Sequence, residues 1–216
     1  MRSITHNTLI IFFFLSLGIT LGTFGQSSVG QDALDKKVQK FLDDNRDNWQ
    51  DLNVPYQDGK LLHNLILQNN YQSAVEIGTS TGHSTIWIAW ALSKTGGKLI
   101  TIEIDEKRQK EAIEKVESLG LSEFVDFRLG DAHQIVKDLE GTFDFVFSDA
   151  DKDWYVQYFK DMDPKLEKGG RFTAHNVLQG MRGIGEFMDY VSKHQDYETT
   201  VDRSSSSGTS ISFKNK

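Results

Sequence analysis

The sequence predicts an α/β fold, with a doubly wound, seven-stranded, mainly parallel sheet and one antiparallel strand in a carboxyl-terminal hairpin. Three observations predict it. From Ser73 onward, short apolar runs alternate with helical patterns. The stretch from Ala74 to Ser84, AVEIGTSTGHS, reads as strand, glycine turn and helix in succession. Two period-two segments, 197–202 and 209–213, flank SSSSG, which is the pattern of a hairpin.

The elements follow in order. Residues 26–30 read as a polar linker, and 33–49 place Leu34, Val38, Phe41 and Leu42 on one helical face. Pro55 breaks the chain, and a second helix is expected over 59–69. Strands are expected at 73–77, 98–104, 124–129, 143–148 and 171–174. Helices are expected at 82–94, 106–119, 132–139, 154–162 and 184–194, with Gly120 closing the second of these. The run at 143–148 is continuously apolar, which suits the middle of a parallel sheet.

A chain of 216 residues is long enough for one such domain. The net charge of −7 and the lack of a basic run argue against a nucleic-acid partner. With no cysteine, thiolate metal sites and cysteine nucleophiles are excluded. Residues 1–25 stand apart from the domain at 26–216. A weakly positive start, the run LIIFFFLSL and the small residues Thr23 and Gly25 have the layout of a signal peptide. The alternative is an uncleaved anchor, with membrane association through residues 8–24. Either reading places the chain outside the cytoplasm or on a membrane; without them it is cytoplasmic.

Acids recur at the carboxyl ends of successive strands, where open α/β sheets hold ligands. Glu76 lies in the first strand, Glu103 ends the second, Asp131 follows the third and Asp149 ends the fourth; His175 and Asn176 end the fifth. Gly78 permits positive φ and close backbone approach. The spacing G-x-x-x-G lacks the middle glycine of the dinucleotide fingerprint, because Ser80 stands there. An acid after the second strand suits the two hydroxyls of a ribose. An acidic crevice disfavours a pyrophosphate and suits a ligand with sulfonium and ammonium groups.

The runs EIGTSTGHS, ITIEIDE, GDA, FDFVFSDADKDWYVQYF and GGRFTAHNVL resemble the cation-dependent class I O-methyltransferases of the caffeoyl-CoA and catechol type. The resemblance covers about Val54 to the carboxyl terminus. It implies a Rossmann-like class I methyltransferase fold and S-adenosylmethionine as cofactor. Glu76, Gly78 and Ser84 would line the methionine side, Glu103 the ribose, and Asp131 with Ala132 the adenine. Asp149 would lie beside the cofactor and ligate a divalent cation, with Asn176 as another ligand. Lys152 would be the base that deprotonates a small hydroxylated, aromatic acceptor. A homodimer is common in the resembled family.

One departure stands out. His175 replaces the aspartate of the family's Asp-Asn pair, and imidazole suits Mn²⁺ and other transition metals better than Mg²⁺. Three readings stay open: a transition-metal site of Asp149, His175 and Asn176, a weakened Mg²⁺ site, or a lost metal with His175 as a polar contact or second base. A metal-independent methyltransferase and a noncatalytic exported nucleoside-binding protein are the alternatives to the metal-assisted enzyme.

Overall fold

The computed structural model describes residues 23–49 and 51–216. The predicted leader lies outside these residues up to position 22. Among the described residues, no helix is long and apolar enough to cross a membrane.

Helix α1 spans Thr23–Asp44, so the expected linker at 26–30 is helical instead. A single glycine costs a helix only about 1 kcal/mol, and Gln31 ties the first part to the next turn by donating to Asp35 at 3.1 Å. The helix stops at Asp44, where the Asn45 amide turns back onto the Phe41 carbonyl at 2.8 Å. Helix α2, Tyr56–Asn69, starts three residues before the expected position. Pro55 supplies a fixed φ at its N-cap and accepts from the amides of Asp58 and Gly59. The earlier start brings Asp58 into the first helical turn.

The sheet then builds by alternation: β1 (Ser73–Ile77), α3 (His83–Thr95), β2 (Lys98–Glu103), α4 (Glu106–Leu119), β3 (Val125–Leu129), α5 (Ala132–Asp138), β4 (Phe143–Ser148), α6 (Tyr155–Met162), β5 (Leu166–His175), α7 (Ile184–Ser192), β6 (Tyr197–Asp202) and β7 (Thr209–Lys214). The strand order is β3-β2-β1-β4-β5-β7-β6, and only the pairings of β7 are antiparallel. The chain reverses its winding between β1 and β4, which opens a crevice at their carboxyl ends.

Strand β5 is longer than its expected four residues. Its register against β4 shifts between Phe143 and Phe145, so Gly169 and Gly170 are absorbed as an irregularity and do not end the strand. A side chain at Gly170 would meet the Asp144 carbonyl at 2.9 Å, which leaves room for glycine alone.

Two apolar layers fix the sheet. Helices α5–α7 bury Val136, Tyr155, Phe159 and Phe187 against Val146 and Phe172. On the other face α2 and α3 bury Leu62, Ile66, Ile88 and Leu92 against Phe145 and Phe147. Gly59 lets these two helices meet, because a Cβ there would run into the Trp87 ring.

Candidate active site

Glu76 is fully buried in β1. Its Oε2 accepts from Thr85 of α3 at 2.5 Å and from Thr101 of β2 at 2.6 Å. Its Oε1 is buried and completes no hydrogen bond, although the Ser84 hydroxyl lies close to the carboxyl. Burial pushes the carboxyl up to about 7, against the hydroxyls of Ser84, Thr101 and Thr85, which pull it down. The loop after β1 is shaped by Gly78 at φ +102, where a Cβ would press on the backbone of Asp149 and Ala150 at 3.1 Å. Gly78 therefore lets the ends of β1 and β4 close on each other.

Glu103 is buried at the end of β2. It accepts three backbone amides: Ser80 at 2.7 Å on Oε2, and Ile104 and Asp105 at 3.0 Å each on Oε1. A carboxylate has about four acceptor positions. One is left for a ligand hydroxyl, where the sequence suggested two. Ser80 takes a left-handed conformation, φ 48, to present its amide.

Asp131 caps α5 by accepting from the His133 amide at 2.9 Å, and Ala132 opens that helix half-buried. The His133 ring stands between Asp131 and Asp151, and its centroid is 4.3 Å from that of Trp154. Trp154 itself is half-exposed, whereas Tyr155 is core.

The ends of β4 and β5 hold a chain of charged groups. Lys152 donates to Asp149 Oδ1 at 2.6 Å and to the Asp149 carbonyl at 3.0 Å. The other oxygen of Asp149 meets His175 Nδ1 at 3.1 Å. His175 Nε2 meets Asp58 Oδ2 at 2.8 Å, and Ser205 donates to the same oxygen at 2.7 Å. His175 and Asp58 are buried, at 3% and 1% exposure. Burial pushes His175 down, but the hydrogen bonds and charges of Asp149 and Asp58 outweigh it and hold the imidazole at about 9. Tyr155 shares its hydroxyl hydrogen between the carbonyls of Ser148 and His175, at 2.9 and 3.2 Å, and so fixes the two strand ends relative to each other.

Of the expected metal ligands, Asp149 and His175 come together but face each other, with a hydrogen bond between them. Asn176 adopts φ 61 and donates to Gln179 at 3.3 Å. Among the described residues, no three His, Asp or Glu side chains are grouped as a metal ion needs. Asp58 was missed in the sequence because the helix was expected to begin after it. Its spacing from Leu62 and Ile66, on the buried face of α2, was the available signal. His83, at the start of α3, is buried among Val54, Trp49 and Trp87.

Two loops wall the crevice. The backbone amides of Val177 and Leu178 donate to Gly208 and Ser207, which ties loop 176–183 to the hairpin turn. Gly183 lies against the Lys152 carbonyl, where no side chain fits. Leu178 and Met181 are large apolar residues exposed on this loop.

Comparison with known proteins identifies the family of the chain. A family profile described as O-methyltransferase matches residues 26–197. The chain is 35% identical over 139 residues to a catechol O-methyltransferase of Niastella koreensis, which covers 62% of each protein. It is 33% identical over 136 residues to caffeoyl-CoA O-methyltransferase 2 of Eucalyptus globulus, across 60% of this chain and 55% of that one. The match thus spans less than two thirds of the length of either relative. The structure resembles that of the O-methyltransferase TomG from Streptomyces achromogenes in complex with SAM, with a TM-score of 0.71 and 26% identity over 86% of this chain and 90% of that one. The fold is that of the class I methyltransferases, as the sequence resemblance implied, and the chain belongs to the O-methyltransferase family.

Proposed function

We infer that the chain transfers the methyl group of S-adenosylmethionine to a hydroxyl of a small aromatic acceptor. The observation that carries this reading is the unpartnered, buried Oε1 of Glu76 at the head of the crevice. A buried carboxylate oxygen left without a donor is costly, and an ammonium group of the cofactor's methionine part would satisfy it. Glu103 keeps one acceptor position for a ribose hydroxyl. The exposed apolar side chains of Ile104 and Leu129 stand at the ends of β2 and β3 as a face for the adenine, beside Asp131 and Ala132. The SAM-bound TomG structure and the catechol and caffeoyl-CoA enzymes among the relatives support the cofactor and the acceptor class.

In the proposed reaction an acceptor oxygen attacks the methyl carbon in line with the departing sulfur. The carbon–sulfur bond breaks and its electron pair stays on sulfur, which becomes a neutral thioether. Lys152, when uncharged, takes the acceptor proton. Its Nζ is held within 2.6 Å of Asp149, so its position is fixed before substrate arrives. Trp154, Leu178 and Met181 supply the apolar wall for the ring.

Titration calorimetry with S-adenosylmethionine, followed by transfer of a labelled methyl group to a panel of catechols and phenols, tests the reading. Binding with turnover is expected. Absence of binding overturns it, and binding without turnover favours a noncatalytic nucleoside-binding protein. Export through residues 1–25 and assembly into a homodimer are part of the proposal; amino-terminal sequencing of native protein and light scattering test them.

A further inference from the structure

The donor set at the strand ends does not suit a divalent cation. Both nitrogens of His175 are engaged, one by Asp149 and the other by Asp58, on opposite sides of the ring. A neutral imidazole has a single N–H, while an ionised carboxylate only accepts. Two carboxylate partners therefore call for two donated hydrogens, which is the imidazolium form. A ring in that form has no lone pair for a metal. The charges also balance. In the resting ion pairs, before Lys152 gives up its proton to serve as a base, Asp58 and Asp149 face His175 and Lys152, two acids against two cations, in a region where the imidazole and the Asp58 carboxyl are almost wholly buried. A divalent ion added to this set would leave two uncompensated positive charges in a poorly solvated place.

The remaining contacts reinforce the bridge. Asp58 comes from α2, Asp149 from the end of β4, His175 from β5 and Ser205 from the hairpin turn. Ser205 Oγ also accepts from the Gly208 amide at 3.4 Å, so the turn that presents it is braced from within. Tyr155 holds the carbonyls of Ser148 and His175. Two elements besides its own strand meet the imidazole, and the hairpin turn braces one of them through Asp58.

We propose that the buried Asp149–His175–Asp58 bridge replaces the divalent cation of this family, so that the chain holds its own fixed positive charge and binds no metal at the acceptor site. This deepens the methyl-transfer reading and rests on it only for its kinetic arm. A cation that chelates two neighbouring oxygens selects for vicinal hydroxyls. A fixed imidazolium surrounded by the chain's own carboxylates imposes no such pairing, so one phenolic hydroxyl suffices.

The test uses the purified full chain. Elemental analysis, together with titration by Mn²⁺ followed by electron paramagnetic resonance, measures metal binding without reference to activity. Nitrogen NMR of the His175 ring at pH 7 reads whether both nitrogens carry hydrogen. Expected are less than one tenth of an equivalent of any divalent metal, no saturable Mn²⁺ binding below 1 mM, and an imidazolium signature. In the kinetic arm, turnover should change less than twofold in chelator, and a monophenol should be methylated within tenfold of a catechol. The His175→Asp variant should gain Mn²⁺ binding at least tenfold tighter than the parent. Stoichiometric metal in the parent, a neutral His175 ring, or turnover that falls tenfold in chelator and returns with Mn²⁺ overturns the proposal. If His175→Asp does not fold, the parent's metal titration and ring spectrum still decide. If no methyl transfer is found, the same two measurements decide independently of the function.

Discussion

Thr101 stands directly opposite Glu76 in the β1–β2 register and donates to its Oε2 at 2.6 Å, while Oε1 of the same carboxyl has no partner. One oxygen is anchored and the other is buried without a completed hydrogen bond. Glu76→Gln keeps the shape and removes the charge. The expected result is a loss of about 2 kcal/mol in S-adenosylmethionine binding, roughly 30-fold by calorimetry. Because burial lifts the carboxyl to about 7, parent affinity should rise as pH increases from 6 to 8, as Glu76 ionises. Glu76→Gln should abolish that rise.

Lys152 touches Asp149 through both its side chain and its carbonyl. Lys152→Met should lower kcat by about 10²-fold or more and leave the S-adenosylmethionine dissociation constant within a factor of two. A matched loss of cofactor affinity would show that the lysine positions the cofactor, against the proposed role.

His83 is neutral in the fold: Nδ1 meets the Val54 carbonyl at 2.8 Å, and Trp87 donates to Nε2 at 3.0 Å. Burial pushes its pKa down to about 4, below the ordinary value of 6.5. The unfolded chain therefore binds a proton that the folded chain refuses between those two values. Stability should fall as pH drops from about 6.5 towards 4, by on the order of 3 kcal/mol from this group. Denaturant unfolding across that window measures it. His83→Gln, which can supply one donor and one acceptor, should flatten the slope.

Tyr155 shares its hydroxyl between two carbonyls in a fully buried place. Tyr155→Phe should destabilise the fold by about 1–2 kcal/mol, read as a lower urea midpoint with an unchanged slope. It should also shift the His175 ring resonances, since it frees the backbone that carries that ring.

The parts of the fold that depend on local pattern were legible before the structure. Strand β1, helix α4 and strand β4 begin and end as expected, because their apolar periods are closed by turn residues such as Gly120. Strand β5 was half seen, since a diglycine looks like a strand end until a neighbouring strand absorbs it through a register shift. At the site, the residues on strand ends were legible because topology alone places them there. What His175 faces was not. Its partner Asp58 lies 117 residues away, on a helix turn hidden behind Pro55, and no local period links the two. Similarly, Glu103 was read as a ribose acceptor, but its three backbone amides depend on how the loop around Ser80 closes.

That long separation has a consequence for synthesis. Asp58 leaves the ribosome early, His175 follows 117 residues later and Ser205 comes 147 residues after Asp58. A growing chain that has made β1 to β3 can pair those strands, but α2 then carries an inward-facing acid with neither His175 nor Ser205 to receive it. Domains tend to fold from the amino terminus during synthesis, and this one cannot finish its charged centre that way. Nascent chains stopped before position 175 should be far easier to digest by protease at α2 than chains that extend past 205, and the hairpin turn at Ser205 acts as the clasp on the charged centre.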